Sequence, residues 1–346
     1  MINLEKEIRE QPSVLGGVYE ANRDTLDALV KKLRAEDPQH IYFAARGTSD
    51  HACIYAQYLF GIYMGIPCGL ATPSVVSQYG AEMKYGGSLV VGVSQSGAAE
   101  DVLAVIRSAK KAGAITVAIT NNTESALAKE ADFHLFCNAG PETSIAATKT
   151  FTSQMYLLAL ICALWLSSDE LLSALGEVPA AVAALLSNMP EQIESMVSRW
   201  RYLDDAITLG RGTAYPIALE GALKILETNK IRVKGYPISD FWHGPLAQVS
   251  AKTLMFVLAA EGKMENDTVA MINRLGEIGA EVVVVTDIPE LAEKNRFSLL
   301  VPELHNESVS PFLLAVTMQL IALKLTEVKG IDPDNSAVLK KVTVTK

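Results

Sequence analysis

The feature that most constrains the fold is an internal repeat with an offset of 165 residues. The tripeptide Arg-Gly-Thr occurs at 46–48 and again at 211–213, and the apolar run SLVVGV (88–93) falls on TLMFVL (253–258) at the same offset. Self-similarity at a fixed offset indicates duplication. The sequence therefore predicts two related halves.

Within each half, short apolar runs alternate with helical segments. The runs are IYFAA (41–45), LVVGV (89–93) and ITVAIT (115–120) in the first half, and AITLG (206–210), TLMFVLA (253–259) and EVVVVT (281–286) in the second. This alternation predicts an α/β fold in which each half is a mainly parallel sheet flanked by helices, in a doubly wound, flavodoxin-like arrangement. We expect an N-terminal helical segment over 1–38, α/β domains over 39–190 and 191–330, and a tail over 331–346.

Composition excludes several classes of protein. The 346 residues are 49% hydrophobic and 20% charged with a net charge of -9, which is typical of a soluble globular chain and argues against a nucleic-acid partner. The N-terminus MINLEKEIREQ lacks the apolar segment of an export signal, and the four cysteines stand in apolar stretches without metal-type spacing. We expect a cytoplasmic protein.

The longest apolar runs, such as MYLLALICALWL (155–166), are shorter than the roughly 18 residues of a membrane-spanning helix. They predict buried core helices and no membrane partner. Helices that are apolar around most of their circumference also need a partner surface, so we expect at least a homodimer.

Two strand-to-helix turns in the first half carry small polar residues. Ser94, Gln95, Ser96 and Gly97 follow the run 89–93, and the stretch 47–49 (Gly-Thr-Ser) follows the run 41–45. Backbone N–H groups at a helix N-terminus bind anions, most simply a phosphate, and open α/β sheets bind ligands at the carboxyl ends of their strands. An ordinary N-cap turn is the alternative for either segment alone.

The helix YPIALEGALKILETNK (215–230) carries a charged stripe of Glu220, Lys224 and Glu227 among apolar residues. Their spacing places all three on one face, and the apolar surroundings favour a cleft or interface over open solvent. A carboxylate in that setting suits general-base chemistry. His243 stands apart from the other histidines because Gly244-Pro245 imposes a sharp chain course beside it. No cluster has metal-ligand spacing, and neither a metal nor another cofactor is expected.

Together these segments resemble the sugar isomerase (SIS) superfamily, and most closely the isomerase half of glucosamine-6-phosphate synthase. The resemblance runs almost end to end and rests on several motifs in fixed order: EKEIREQPSVL (5–15), ARGTSDHA (45–52), SQSG (94–97), AGPETSIAATKTFT (139–152), LGRGTAYPIALEGALKILE (209–227), HGPLA (243–247) and LKKVTVT (339–345).

The resemblance implies roles for matching positions. Substrate phosphate and sugar would be bound by the first-half residues Gly47, Thr48, Ser49, Ser94, Gln95, Ser96 and Ala99, with backbone near Ile145 and Ala146. Glu227 would shuttle a proton between C1 and C2, and Lys224 would support Glu227. His243 would assist ring opening near a subunit interface, and Lys340 matches the synthase lysine that forms an imine.

The resemblance covers the isomerase region from the first motif, EKEIREQPSVL, onward, and we expect no glutaminase domain to supply ammonia. The resemblance therefore implies deamination of a phosphorylated amino sugar, glucosamine 6-phosphate, to fructose 6-phosphate and ammonia. After SQSG, Ala98-Ala99 replace the Glu-Thr of the synthase. A fructosamine-6-phosphate deglycase, or a non-catalytic sugar-phosphate-binding protein, remains the alternative.

Overall fold

The computed structural model describes residues 2–335, 338–339 and 341. The chain divides into two compact units. Of the described residues, the β1–β5 unit comprises Ser13–Glu142, Lys149–Gly176 and Lys341, and the β6–β10 unit comprises 2–12, Thr143–Thr148, 177–335 and 338–339. Two long helices, α1 (Asn3–Glu36) and α7 (Asp169–Val197), contribute residues to both units.

The β1–β5 unit is a five-stranded parallel sheet in the order β2-β1-β3-β4-β5. Its core includes Val90, Val102, Ile106 and Leu127. The elements are β1 (Ile41–Ala44), α2 (Thr48–Met64), β2 (Cys68–Leu70), α3 (Pro73–Ser77), β3 (Leu89–Val93), α4 (Glu100–Lys111), β4 (Ile115–Thr120), α5 (Ala126–Glu130), β5 (Phe133–Phe136) and α6 (Lys149–Leu166).

The β6–β10 unit repeats this topology, with all strands parallel in the order β7-β6-β8-β9-β10. Its core includes Leu209, Val257, Met271 and Leu275. The elements are β6 (Asp205–Gly210), α8 (Tyr215–Asn229), β7 (Arg232–Pro237), α9 (Ile238–Phe241), β8 (Leu254–Ala259), α10 (Glu265–Ile278), β9 (Glu281–Thr286), α11 (Pro289–Lys294), β10 (Ser298–Leu300) and α12 (Ser310–Lys329).

The duplication is confirmed by equivalent ion pairs as well as by strand order. Arg46 follows β1 and pairs with Asp101 of α4 (Nη2–Oδ2 2.7 Å), while Arg211 follows β6 and pairs with Asp267 of α10 (Nε–Oδ2 3.1 Å). In both units, the arginine of the Arg-Gly-Thr turn binds the first turn of the helix that follows the neighbouring strand. The two turns therefore occupy the same topological position.

The apolar helices are longer than the sequence predicted. By length and composition, α6, the segment Asp169–Trp200 and α12 could each cross a membrane. The expectation that the runs are too short to span a membrane was wrong because α6 begins at Lys149, before the run 155–166, and α12 continues past Lys324 to Lys329. The expectation of buried core helices is confirmed for α6 and α12. The apolar windows of α6 and α12 are 89% and 83% buried within the protein, whereas that of Asp169–Trp200 is 39% buried. Within their units, α6 packs on α2 and α12 packs on α8.

Candidate functional site

The serine turn after β3 is shaped by its own side chains and by one glycine. Ser94 Oγ accepts a hydrogen bond from the Gly97 N–H (3.2 Å), and Ser96 Oγ accepts one from the Ala98 N–H (3.3 Å). Gly97 has φ +63°, and a Cβ there would lie 2.2 Å from Ser125 Oγ. Only glycine fits this position, so the chain passes tightly into α4.

The Gly-Thr-Ser turn (47–49) after β1 lies beside the serine turn (94–97) after β3. Strands β1 and β3 are parallel neighbours, with Ala44 opposite Gly92, so the turns that follow them share one edge of the sheet. In the order β2-β1-β3-β4-β5, this edge between β1 and β3 is the point where the chain reverses direction across the sheet, which is where doubly wound folds bind ligands. The structure therefore brings the two segments together, as the sequence predicted.

Both turns lead into helices whose N-cap residues, Gly47 and Ala99, make no side-chain cap. Gly47 precedes α2 with φ +54°, and Ser49 in its first turn is buried. Ala99 precedes α4 and, as an alanine, offers no side-chain cap, although the Asp101 carboxylate in the first turn accepts a hydrogen bond from the Val102 N–H (2.9 Å). Amide N–H groups at such termini attract anions. The arrangement can hold a phosphate at the β1–β3 edge.

The charged stripe of α8 is buried. Lys224 Nζ lies 3.3 Å from Glu220 Oε1 and 2.7 Å from Glu227 Oε2. The side chains of Lys224 and Glu220 are each 2% exposed, whereas that of Glu227 is 22% exposed. Burial alone would lower the pKa of Lys224, but the two carboxylates outweigh it and raise that pKa. Lys224 therefore stays a cation, and Glu227 is the one carboxylate of the three-residue cluster within reach of a ligand.

His243 lies in the same unit, just after α9. The backbone N–H of His243 donates a hydrogen bond to the Asp240 carbonyl (3.0 Å), and the His243 side chain is exposed. Gly244 follows with φ +137°, a conformation that L side chains rarely adopt, and opens the short 3₁₀ helix Pro245–Gln248. The sharp chain course predicted from Gly244-Pro245 is thus present, and it leaves the imidazole accessible.

The segment that carries Ile145 and Ala146 follows a buried carboxylate. Glu142 accepts hydrogen bonds from the Thr150 N–H (3.1 Å) and hydroxyl (2.7 Å), and it pairs with Lys341 Nζ (3.0 Å). The Glu142 side chain is fully buried. Sequence reasoning missed this ion pair because its partners are 199 positions apart. Lys340, the predicted imine-forming lysine, lies outside the described residues.

One group of described residues has the geometry to hold a metal ion. The ligand atoms of Glu261, Glu303 and His305 lie within 4.8 Å of one another, and all three residues are exposed. No local sequence pattern indicates this group, because Glu261 and Glu303 are far apart along the chain. Hydrogen bonding to Glu303 and its charge raise the pKa of Glu261.

The sequence of the chain is similar to those of enzymes that act on sugar phosphates. The chain is 34% identical over 368 residues to the isomerizing glutamine–fructose-6-phosphate aminotransferase of Gloeobacter violaceus, covering 98% of this chain and 58% of that protein. It spans about 57–58% of the length of such curated relatives.

Solved structures share the fold over nearly the whole chain. A proposed phosphosugar isomerase from Silicibacter pomeroyi is 29% identical with a TM-score of 0.88, covering 96% of this chain and 100% of that one. Glucosamine-6-phosphate deaminase from Thermotoga maritima is 23% identical with a TM-score of 0.81, covering 99% and 100%, and shows the fold alone.

The family assignment rests on a match in each half of the chain. The model of the SIS domain matches residues 33–164 and 204–328, which contain the sheets of the two units. These ranges include the serine turn of the first half and the charged stripe of the second. The chain therefore belongs to the SIS domain family.

Proposed function

We propose that the protein converts glucosamine 6-phosphate and water to fructose 6-phosphate and ammonia. The observation that carries the proposal is the α8 cluster, in which a partly exposed carboxylate is held against a buried lysine. An aldose–ketose shift needs one base that can remove a proton and return it one carbon away. Glu227 supplies that base.

In the proposed reaction, Glu227 removes the C2 proton of the ring-opened amino sugar, which gives an enaminol. It returns the proton to C1, leaving an imine at C2 that water hydrolyses to the ketose and ammonia. Lys224 holds Glu227 in place at 2.7 Å, and the buried Glu220 keeps Lys224 charged. The exposed His243 serves ring opening as a separate acid and base, and Lys340 binds the open chain.

The phosphate is assigned to the β1–β3 edge. Ser94, Gln95, Ser96 and Ser49 would donate hydrogen bonds to it, together with backbone N–H groups at the starts of α2 and α4. Backbone near Ile145 and Ala146 would line the sugar. We further propose a cytoplasmic homodimer with the active site near the subunit interface, and domains over 39–190 and 191–330.

A second candidate is a fructosamine-6-phosphate deglycase. It is favoured by Ala98 and Ala99, which leave the start of α4 without a side-chain hydroxyl of their own. A substrate with a different substituent on the sugar could then be preferred. The same base would act in the opposite direction, moving a proton from C1 to C2 to give an imine at C1, which water hydrolyses to glucose 6-phosphate and the free amino acid.

Product analysis separates these candidates. Purified protein is incubated with glucosamine 6-phosphate, with fructosamine 6-phosphates and with unphosphorylated glucosamine. Release of ammonia and fructose 6-phosphate from the first substrate alone supports the deaminase, and release of glucose 6-phosphate from the second supports the deglycase. Binding of these phosphorylated sugars by calorimetry without turnover would indicate a sugar-phosphate-binding protein and contradict both enzymatic assignments.

A further inference from the structure

The N-terminal motif EKEIREQP (5–12) places a buried carboxylate on a loop of the β6–β10 unit. Glu7 of α1 is 3% exposed. Its carboxylate accepts hydrogen bonds from the N–H groups of Thr143 and Ser144, the latter at 3.2 and 3.3 Å to its two oxygens, and from the Thr143 hydroxyl at 3.2 Å. The first two residues of the 143–148 loop are therefore bound to α1.

The other end of this loop is held by two buried glutamines. Gln319 of α12 donates from Nε2 to the Thr148 carbonyl (3.4 Å), and its Oε1 accepts from Gln11 Nε2 (2.8 Å). Gln11 also donates to the Ile8 carbonyl (3.0 Å). Gln11 and Gln319 are 0% and 1% exposed. Since Gln11 lies one turn after Glu7, one face of α1 serves both ends of the loop.

Burying these groups is costly unless hydrogen bonds compensate. A carboxylate and two amides occupy positions where apolar side chains would suffice for packing. The bonds they make converge on a six-residue loop, and the middle of that loop carries Ile145 and Ala146. Ala146 is buried and Ile145 is half-buried. This polar set therefore fixes a loop conformation in addition to filling space.

We propose that Glu7, with Gln11 and Gln319, is a positioning set that holds the 143–148 loop in the conformation that binds the phosphorylated sugar. The inference rests on the proposed function. The inference gives the EKEIREQP motif a role, whereas the proposed reaction uses none of its residues. These residues act through the loop and do not touch the reacting atoms.

The test compares Glu7→Ala and Glu7→Gln with a matched control, Glu20→Gln. Glu20 is an exposed carboxylate of the same helix that pairs with Arg23. Hydrogen exchange of the 143–148 amides, thermal unfolding, and KM and kcat for glucosamine 6-phosphate are measured for each variant.

We expect Glu7→Ala to accelerate exchange of the Thr143 and Ser144 amides and to raise KM about 10- to 100-fold, the weight of hydrogen bonds to a charged group. Turnover at saturation should change much less, because the proton shuttle is untouched. Glu7→Gln retains one carbonyl acceptor and should recover part of the loss. Glu20→Gln should behave like the wild type.

Two results would overturn the inference. One is unchanged loop exchange in folded Glu7→Ala. The other is faster hydrogen exchange of the loop amides with an unaltered KM in an active enzyme. Glu7 would then stabilise the loop without affecting substrate binding. If the wild type turns over no sugar phosphate, the proposed function fails instead, and loop exchange alone decides whether Glu7 fixes the loop. If Glu7→Ala does not fold, Gln319→Leu provides the same measurements at the other end.

Discussion

Replacing Lys224 by methionine removes the cation from the buried cluster on α8. The Glu220 side chain, 2% exposed, would then be a buried carboxylate without its lysine 3.3 Å away. Breaking a buried ion pair from one side costs about 3–5 kcal/mol, because the remaining charge is left uncompensated. Since the raised pKa keeps Lys224 charged up to and above its usual titration range, its contribution is fully present at pH 8.

Urea unfolding at pH 8 and pH 5 measures this cost. We expect Lys224→Met to lose most stability at pH 8 and less at pH 5, because a buried carboxyl that has lost its lysine costs less when it takes up a proton. Adding Glu220→Gln should restore much of the loss. Lys294→Met is the matched control. Lys294 forms an exposed i,i+4 pair with Glu290 (4.0 Å), so its replacement should change the free energy of unfolding little. A Lys224→Met loss below about 1 kcal/mol at pH 8, or one independent of pH, would refute the reasoning.

Three further predictions concern the β1–β5 unit. Ser96→Ala should raise KM for the phosphorylated sugar about 10- to 100-fold with little change in kcat, because a hydrogen bond to a charged group is lost; an unchanged KM in the folded variant would remove the assigned role. Gly97→Ala should destabilise the protein more than Gly140→Ala does in thermal unfolding, because both glycines have positive φ but only the Cβ at 97 would meet Ser125, at 2.2 Å; equal losses would count against that steric account. Burial raises the pKa of Cys68 to about 12, so this thiol should resist iodoacetamide at pH 8 until the protein is unfolded in urea, and rapid alkylation of Cys68 in the folded protein would contradict this.

Much of the fold could be predicted because the central strands are uniformly apolar. The runs that became β3, β4 and β8 are buried along their whole length. The missed strands β2, β5, β7 and β10 lie at sheet edges, where they are short or carry charges, as in RVKGYP of β7. Edge strands need apolar residues on fewer positions, so their sequences give a weaker signal.

The candidate site was predicted unevenly for similar reasons. Local motifs located the serine turn and the stripe of Glu220, Lys224 and Glu227, because each lies within one turn or one helix. Long-range partners gave no local signal. Neither the Glu142–Lys341 pair nor the bonds from Glu7 to Thr143 follow from spacing along the chain, since tertiary structure alone brings them together.

The transfer of the C2 proton by Glu227 is the central claim, and isotope transfer tests it most directly. Wild-type protein, Glu227→Gln and the exposed control Glu290→Gln are incubated with glucosamine 6-phosphate in deuterium oxide. Ammonia release and deuterium at C1 of fructose 6-phosphate are measured. We expect the wild type and the control to release ammonia at equal rates and to give fructose 6-phosphate with less than one deuterium at C1, because Glu227 carries part of the C2 hydrogen to C1. Glu227→Gln should lose about 10²–10⁴-fold in turnover with substrate binding retained. Near wild-type ammonia release by Glu227→Gln would contradict the account and place the base elsewhere.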